Sequence, residues 1–384
     1  MYHTSLFLVL FFLYSIQASG QLQTGAEQME EYLPLLEGKT VGLVVNQTSR
    51  VKDQHLVDTL NASGIDIACI FAPEHGFRGT ADAGSHIKDQ TDTQTGLPVI
   101  SLYGNNKKPQ DKHLKGIDIM IFDIQDVGIR FYTYISTMHH VMEACATHDI
   151  PLLILDRPNP NGDYISGPVL DTNYRSFVGM HPIPVVHGLT IGELAQMING
   201  EGWIKDTCKL TIVPVKNYTH KTPYELPVKP SPNLPNHTSI RLYPSLCLME
   251  PTIASIGRGT PYPFQCYGLP YPTEGMEFSF TPESMEGAQY PKHKGVTCYG
   301  KDLRQLDSIP PFTLEYIIKA YNNCEKKENF FTSESFFNKL AGNDLLIKQI
   351  REQLPAEEIV KSWEEGLNNY QEIRKKYLIY PEHE

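Results

Sequence analysis

The chain of 384 residues is long enough to form two domains, each with its own hydrophobic core. Apolar residues make up 41% of it and charged residues 20%, which is ordinary for a soluble globular protein. The formal net charge of −11, without any basic run, argues against a nucleic-acid-binding function.

The N-terminal residues predict a secretory signal. An apolar run extends from Leu6 to Leu13 and is followed by the small residues Ala18, Ser19 and Gly20, a pattern typical of a signal peptide cleaved near residue 20. The run is too short for a comfortable membrane span, so we expect no stable membrane insertion. Residues 1–20 are therefore predicted to be removed, and the mature protein is predicted to be exported, either periplasmic or secreted.

Six short, nearly continuous apolar runs predict the strands of a sheet. They are residues 41–46, 67–73, 99–104, 118–125, 151–157 and 209–215. Continuous apolar character is typical of parallel strands that are covered on both faces. Between the fourth and fifth runs, Ile135, Met138, Met142 and Cys145 form one stripe of a helix. The order of strand, helix and strand predicts βαβ units, a mainly parallel sheet and the α/β fold class.

The cysteines do not predict a disulfide scaffold. The seven cysteines are an odd number and are spread from Cys69 to Cys324. Because no CxxC pair occurs, a zinc–thiolate site is not expected either. Cys69 falls within a strand pattern and Cys145 on the apolar face of the predicted helix, so both are expected to be small buried hydrophobic residues. We predict no metal site and no cofactor.

The rest of the chain predicts one more helix, a long loop and a second domain. Thr190 and Glu193 predict a capping box at the start of a helix that stops at Gly200, so Glu193 is expected to be a structural cap. Residues 214–244 are dense in proline and predict a long rigid loop that walls a cleft. Beyond about residue 275, amphipathic stretches predict an α-rich tail that belongs to a smaller domain.

Polar side chains follow three of the predicted strands. They are Glu74, His75 and Arg78 after the second run, Asp123, Gln125, Asp126 and Arg130 after the fourth, and Asp156, Arg157 and Asn159 after the fifth. Because the carboxyl ends of parallel strands share one edge of a sheet, these side chains are expected to face one another in a ligand-binding crevice. Any single acid has the alternative of a helix cap or an Asx turn. Glu74 is the strongest candidate, because a glutamate beside a proline gains little structurally in a loop.

Two later stretches add candidates. A stiff turn at residues 230–236 is expected to present Asn233, and residues 249–264 carry Glu250 and Arg258. Neither a phosphate-binding P-loop nor a dinucleotide-binding motif is present. An arginine between two glycines suits an exposed fork that grips a carboxylate or a phosphate.

Nine motifs occur in an order that identifies a family. They are "FAPEHGFRG", "TGLPVISLYG", "FDIQDVGIRFYTYISTM", "LDRPNPNG", "GPVLD", "RSFVG", "HGLTIGELA", "PSPNLP" and "GRGT". From about residue 42 to about residue 271 the chain resembles the NamZ (YbbC-like) exo-β-N-acetylmuramidase family. The resemblance implies a Rossmann-like domain over residues 21–240 and a smaller α/β domain over residues 241–384, with the active site between them. It also implies release of N-acetylmuramic acid from the non-reducing end of peptidoglycan fragments, with Glu74 as the family's catalytic glutamate.

Glycoside hydrolysis gives these residues candidate roles, since it usually needs a proton donor and a second carboxylate. We expect Glu74 to be the acid and Asp123 or Asp126 to be its partner, with Glu250 or the substrate's own N-acetyl group as alternatives. Candidates for the lactyl carboxylate are Arg130, Arg157 and Arg258, and Tyr132 and Tyr134 are expected to pack on the sugar. The remaining substrate-binding candidates are His75, Arg78, Gln125, Asp156, Asn159, His187 and Asn233.

Two other functions remain open at this stage. A metal-dependent amidase or deacetylase of cell-wall material would use Asp123, Asp126, His75 and His187 as ligands, although no HxxE or HExxH spacing is present. A non-catalytic peptidoglycan-binding protein would hold the saccharide in the same cleft without cutting it. The partner is a peptidoglycan-derived saccharide in all three cases, and the sequence makes no prediction of oligomeric state.

Overall fold

The computed structural model describes residues 20–74, 76–78, 90–104 and 106–382. In these residues the strands are β1 (Thr40–Val45), β2 (Arg50–Val51), β3 (Gln54–His55), β4 (Asp66–Ala72), β5 (Gln90–Thr91), β6 (Pro98–Ser101), β7 (Ile119–Asp123), β8 (Leu152–Leu155), β9 (Leu210–Val213), β10 (Cys266–Leu269), β11 (Phe278–Phe280) and β12 (Cys298–Asp302). The α-helices are α1 (Met29–Leu36), α2 (Leu56–Ala62), α3 (Asp111–Leu114), α4 (Tyr134–Thr147), α5 (Ile191–Gly200), α6 (His237–Leu246), α7 (Glu315–Asn322), α8 (Glu334–Ala341), α9 (Leu345–Arg351), α10 (Ala356–Lys361) and α11 (Glu364–Arg374).

The main sheet has seven strands in the order β5-β6-β4-β1-β7-β8-β9. All neighbouring pairs are parallel except β5 with β6 at one edge. The six parallel strands are the six predicted runs. Their order, in which the chain first builds outward from β1 on one side and then on the other, is that of a Rossmann-like sheet. The predicted α/β class with a mainly parallel sheet is confirmed.

Alternate residues of the central strands pack into two separate cores. In β8, Leu152 and Ile154 contribute to the larger core and Leu153 and Leu155 to the smaller one. All four are fully buried, which is why the run is continuously apolar and not alternating. The buried stripe of α4 covers the larger core, as its spacing predicted. The sheet is therefore covered on both faces, and its edges and strand ends are the parts available to a ligand.

A second lobe packs over one end of this sheet. It contains the three-stranded antiparallel sheet β10-β12-β11 and the helices α6 to α11. The predicted domain boundary after residue 240 falls inside α6. We therefore take the first lobe as the described residues up to 236 and the second lobe as residues 237–382.

The predicted loop at residues 214–244 ends earlier than expected. Asn236 caps α6 by accepting a hydrogen bond from the Ser239 backbone N–H at 3.0 Å, and the helix passes through Pro244. A proline leaves the carbonyl four residues earlier without its helical partner. Here Asn161 Nδ2 donates to that carbonyl, on Ile240, at 3.4 Å. The loop prediction is wrong for its last eight residues because this tertiary contact compensates for the proline.

Cys69 and Cys145 are buried, as predicted. All seven cysteines are free and buried, and they include Cys69 and Cys145. Among the residues that the structure describes, no helix has the length and apolar character needed to cross a bilayer. The predicted signal segment falls almost entirely outside those residues.

Candidate active site

A cavity of about 320 Å³ lies between the two lobes, next to the end of β4. The first lobe contributes Glu74, Phe131, Tyr132, Thr133, Tyr134, Val178, Ser231, Asn233 and Leu234, and the second lobe contributes Tyr243, Cys247, Glu250, Arg258, Phe264, Phe336 and Leu340. Most of this surface is apolar and aromatic. A few polar groups converge on it, which is the usual composition of a site for an organic ligand.

Glu74 stands at the rim of the sheet, two residues after β4 ends. The Gly76 N–H donates to the Pro73 carbonyl at 3.0 Å, and Gly76 has φ +77°, so the chain turns sharply at this point. Thr133 Oγ1 donates to Glu74 Oε2 at 3.4 Å, and Tyr134 OH donates to the Glu74 backbone carbonyl at 3.4 Å. The carboxylate is partly exposed and lines the cavity. Glu74 is therefore positioned by the turn and by the segment that starts α4.

Glu250 is a second carboxylate on the same cavity, supplied by the other lobe. Arg258 Nε donates to Glu250 Oε1 at 2.6 Å. Gly257 and Gly259 flank the arginine at φ +79° and +80°, and a Cβ on Gly257 would lie 2.8 Å from Cys266 Sγ. This backbone path therefore requires glycine at both positions.

Arg258 keeps donors for a ligand. Its guanidinium lies 5.0 Å from the centre of the Phe264 ring, and its side chain is 28% exposed. Nη1 and Nη2 donate to no residue that the structure describes. The arginine thus lines the cavity with a fixed Nε and a partly exposed terminal fork, which suits a carboxylate.

Tyr132, Tyr134 and Asn233 form the wall next to Glu74. Tyr132 OH donates to the Pro230 carbonyl at 2.7 Å, and the rings of the two tyrosines meet edge to face at 4.9 Å. Burial raises the pKa of both phenols, so both stay protonated at neutral pH. Asn233 Nδ2 donates to the Gly287 carbonyl of the second lobe at 2.8 Å. Of the predicted residues, the cavity thus brings together Glu74, Tyr132, Tyr134, Asn233, Glu250 and Arg258.

Asp123 and Arg157 pair with each other away from this cavity. Arg157 Nε lies 2.5 Å from Asp123 Oδ1, Nη2 lies 2.9 Å from Oδ2, and both side chains are buried. A bidentate pair of this kind uses both carboxylate oxygens. Neither residue is among those that line the cavity, so their placement does not support the predicted acid–base or substrate-binding roles.

Asp156, Gln125 and Asn159 serve the backbone around the strand ends. Asp156 accepts hydrogen bonds from Thr190 Oγ1, Tyr380 OH and the backbone N–H groups of Arg157 and Gly192. Burial raises the pKa of Asp156 to about 6, and the hydrogen bonds from Tyr380, Thr190 and Gly192 offset part of that rise. Gln125 Nε2 donates to the carbonyls of Asp126 and Pro158, and Asn159 Nδ2 donates to that of Leu189. All three are buried and lie outside the cavity lining.

Arg130 joins the lobes instead of facing a ligand. It is fully buried, and its terminal amines donate to carbonyls of both lobes: Pro168, Ile183, Leu340 and Ala341, at 2.6 to 2.8 Å. Burial lowers the pKa of Arg130 to about 9. The geometry does not support its predicted contact with the substrate's carboxylate.

The remaining candidates are placed apart from Glu250 and Arg258. Asp126 Oδ2 accepts from the Gly128 N–H at 2.7 Å and lies 3.7 Å from His187 Nε2 in the protein interior. Arg78 pairs with Asp58 and Asp92 and lies on neighbouring cavities. His75 lies outside the described residues.

The metal-ligand set of the alternative function is not assembled in the described part of the chain. No group of three or more histidine, cysteine, aspartate or glutamate side chains there is placed to hold a metal ion. Asp123, one of the four ligands considered, has both oxygens engaged by Arg157.

Several lining residues were not predicted. Thr133 lies within the "FYTY" motif between two tyrosines that were predicted, so its motif offered a signal. Tyr243, Phe264 and Phe336 come from the second lobe, and their apolar side chains could not be told from core residues by pattern. How the second lobe docks determines which of its aromatic residues face the cavity.

Comparison with known proteins covers nearly the whole chain. The N-terminal domain model of the exo-beta-N-acetylmuramidase NamZ matches residues 41–238, and the C-terminal domain model matches residues 241–380. The peptidoglycan beta-N-acetylmuramidase NamZ of Bacillus subtilis (strain 168) is 40% identical, over 94% of this chain and 92% of that protein. Two solved structures of DUF1343 family proteins from Bacteroides fragilis NCTC 9343 each cover 94% of this chain and 99% of theirs. Their TM-scores are 0.87 and 0.80, with 44% and 29% identity.

Proposed function

This chain belongs to the NamZ family of exo-β-N-acetylmuramidases, and from that premise we propose that Glu74 is its catalytic acid. The protein is a glycoside hydrolase that releases N-acetylmuramic acid from the non-reducing end of peptidoglycan fragments. The proposal concerns how its own residues perform this reaction. One observation carries it: Glu74 and Glu250, contributed by different lobes, line the same cavity.

In the first step, Glu74 donates its proton to the glycosidic oxygen. The bond between that oxygen and the anomeric carbon breaks, the shortened saccharide leaves as an alcohol, and Glu74 becomes a carboxylate. If the second carboxylate is the nucleophile, it bonds to the anomeric carbon, and water then displaces it and gives a proton to Glu74. If it is the base, it takes a proton from a water that attacks the anomeric carbon directly, and Glu74 regains its proton from solvent. Thr133 Oγ1, 3.4 Å from Glu74 Oε2, orients the carboxyl group.

Glu250 is the second carboxylate of this mechanism. It lines the cavity from the second lobe, and Arg258 Nε donates to its Oε1 at 2.6 Å, which fixes the position of a carboxylate that would act as a nucleophile or a base. We propose Glu250 as the second carboxylate instead of Asp123, because both oxygens of Asp123 accept hydrogen bonds from Arg157. Asp126 is also set aside, because its side chain is buried in the interior. This assignment keeps two carboxylates in one cavity, as the chemistry requires.

Arg258 supplies specificity for muramic acid. The lactyl ether of that sugar ends in a carboxylate, which the otherwise similar N-acetylglucosamine lacks. The partly exposed Nη1 and Nη2 of Arg258 are placed to donate to it. Tyr132 and Tyr134 are part of the aromatic lining against which the pyranose packs.

Replacing Glu74 by glutamine tests the acid role, because the amide keeps the shape but has no acidic proton. With a saccharide substrate, we expect kcat/KM to fall by roughly 10²–10⁴-fold. N-acetylmuramyl fluoride should suffer much less, since fluoride leaves without protonation. Glu225→Gln, the same change at an exposed position of the proline-rich loop, is the control and should match the wild type. Wild-type turnover of saccharides by Glu74→Gln would remove Glu74 from this role.

We also propose that the protein is exported and acts in the periplasm or outside the cell. The support is the apolar run at Leu6 to Leu13 followed by small residues, together with a substrate that lies outside the cytoplasmic membrane. The mature protein recovered from its own host should begin near residue 21. An intact N-terminus on active protein from cells would contradict the proposal.

A further inference from the structure

Two more cavities continue from the active-site cavity along the proline-rich loop. A second cavity of about 530 Å³ shares Ser231 and Asn233 with the first. A third, of about 420 Å³, shares Gln47 and Arg78 with the second. The second and third cavities together are called the outer groove below. The outer groove therefore adjoins the site that holds Glu74, and both lobes line its second cavity.

The lining of the second cavity differs from that of the first. Five prolines, Val228 and the exposed Met285 make its walls apolar, and amide, hydroxyl and ionic groups lie between them. Gln47 Oε1 is buried there and accepts a hydrogen bond from no described residue. An N-acetylated sugar offers what such a surface lacks, because it has an apolar ring face together with N–H and O–H donors.

The wall of the outer groove is held in place before any ligand binds. Gln47 Nε2 donates to the carbonyls of Lys229 and Pro230 at 3.1 and 3.2 Å, and Tyr132 OH donates to the same Pro230 carbonyl. Asn233 ties the loop to Gly287 of the second lobe. A preformed wall lowers the entropic cost of binding. This loop is therefore built as a binding surface.

We propose that the outer groove binds the saccharide on the leaving-group side of the scissile bond, an inference that rests on the proposed function. An exo-acting enzyme holds one terminal sugar at Glu74, and the rest of the chain must leave that cavity. The second cavity is larger than the first and so has room for the next sugar, N-acetylglucosamine. The sugar after that is again a muramic acid, and the third cavity, whose lining includes Arg50 and Arg78 together with Asp53 and Asp58, is the space that it would enter.

Filling the second cavity tests this. Val228→Trp places a bulky ring in it, and Val296→Trp, at a surface position that is 44% exposed and outside the groove lining, is the matched control. The saccharide substrate is a tetrasaccharide of alternating N-acetylmuramic acid and N-acetylglucosamine with N-acetylmuramic acid at its non-reducing end. With Val228→Trp, we expect kcat/KM for this tetrasaccharide to fall about tenfold or more, which corresponds to the loss of one modest subsite contact. Hydrolysis of N-acetylmuramyl fluoride, whose leaving group needs no outer groove, should stay within about twofold of the wild type. Val296→Trp should leave both rates unchanged.

The rate on N-acetylmuramyl fluoride also shows whether each variant is folded. A second variant, Met285→Trp, fills the same cavity from the second lobe. It should also lose activity on the tetrasaccharide while keeping its activity on the fluoride. Equal rates on the tetrasaccharide for Val228→Trp, Met285→Trp and the wild type would overturn the proposal, and so would equal losses on both substrates. A wild-type enzyme that hydrolyses neither substrate would overturn the proposed function and this inference with it. A wild-type enzyme that hydrolyses both, with no selective loss in the variants, would overturn this inference alone.

Discussion

His55 is a buried residue whose ring accepts a hydrogen bond that protonation would destroy. It caps α2, and its Nδ1 accepts from the Val57 backbone N–H at 3.2 Å, while Nε2 faces the Asn46 carbonyl at 2.8 Å. Nε2 must therefore carry the hydrogen of the neutral ring. A second proton would go to Nδ1, directly opposite a helix N–H. Burial lowers the pKa of His55 to about 4, with Arg78 acting in the same direction.

Acid should therefore destabilise the protein through His55. The folded-state pKa is depressed below the unfolded value of about 6.5, so the stability is fully present above pH 6.5 and is lost as the pH falls toward 4. At pH 5 the loss from this one residue is about 2 kcal/mol. In His55→Asn, which keeps a capping oxygen but does not titrate, the loss between pH 7 and pH 5 should be smaller by that amount. Urea unfolding at the two pH values measures it.

The control is Ser333→Ala, which removes the side-chain cap of α8 at a residue that does not titrate. It should leave the pH dependence of the free energy of unfolding as in the wild type. If His55→Asn and Ser333→Ala show the same pH dependence, the acid sensitivity comes from elsewhere and the capping argument is wrong.

Single residues also show the limit of reasoning from strand ends. Parallel topology places Glu74, Asp123 and Asp156 near one edge, and the sheet has that topology. Whether each carboxylate can reach a ligand depends on how deeply its side chain is buried. Asp123 is the last residue of a central strand and is buried against Arg157, whereas Glu74 lies beyond an intervening proline and reaches the cavity. Sequence pattern does not encode that difference, because an arginine partner 34 positions away is recognised only after folding.

At the scale of elements, continuous apolar runs and stripes predict well. The six parallel strands and α4 form as expected, because each carries an apolar run or stripe that is stable only when it is buried. The capping box at α5 is also present, with Glu193 Oε2 accepting from the Thr190 N–H at 2.9 Å. Short strands such as β11 were not recognised, because three residues with a single buried side chain give no periodic signal.

Glu193 shows what local motifs leave out. Beyond its cap, Oε1 accepts from His220 Nε2 at 3.0 Å and from the Ile379 backbone N–H at 2.9 Å. Tyr380 OH reaches Asp156 Oδ2 at 2.6 Å. The terminal "YLIY" segment thus returns from the second lobe and is hydrogen-bonded to the first. It contributes nothing to the lining of the cavity.

At the scale of the whole molecule, the lobes share one hydrophobic core. The larger core contains Phe122 and Met142 of the first lobe together with Leu248, Ile317 and Phe337 of the second. Length and composition predict two domains, but the larger hydrophobic core is not divided between the two lobes. The lobe that supplies Glu74 and the lobe that supplies Glu250 therefore pack through the same core.

The shared core and Arg130 together predict that the two lobes unfold as one cooperative unit. The chain has one tryptophan in each lobe, Trp203 and Trp363, so Trp203→Phe and Trp363→Phe each leave a reporter of a single lobe. Their urea unfolding curves should coincide. Arg130→Lys should shift both curves together by about 2–3 kcal/mol, because a lysine ammonium cannot serve four carbonyls and leaves at least one buried acceptor unpaired.

Arg304→Lys is the matched control, since Arg304 is a partly exposed residue paired with Asp302. The expected change there is at most about 1 kcal/mol, as for other surface ion pairs. Two separated wild-type transitions would contradict the shared unit. A loss in Arg130→Lys that only the Trp363 reporter registers would show that the arginine stabilises the second lobe alone. Coincident curves with a common shift would mean that the buried guanidinium of Arg130 stabilises both lobes as one cooperative unit.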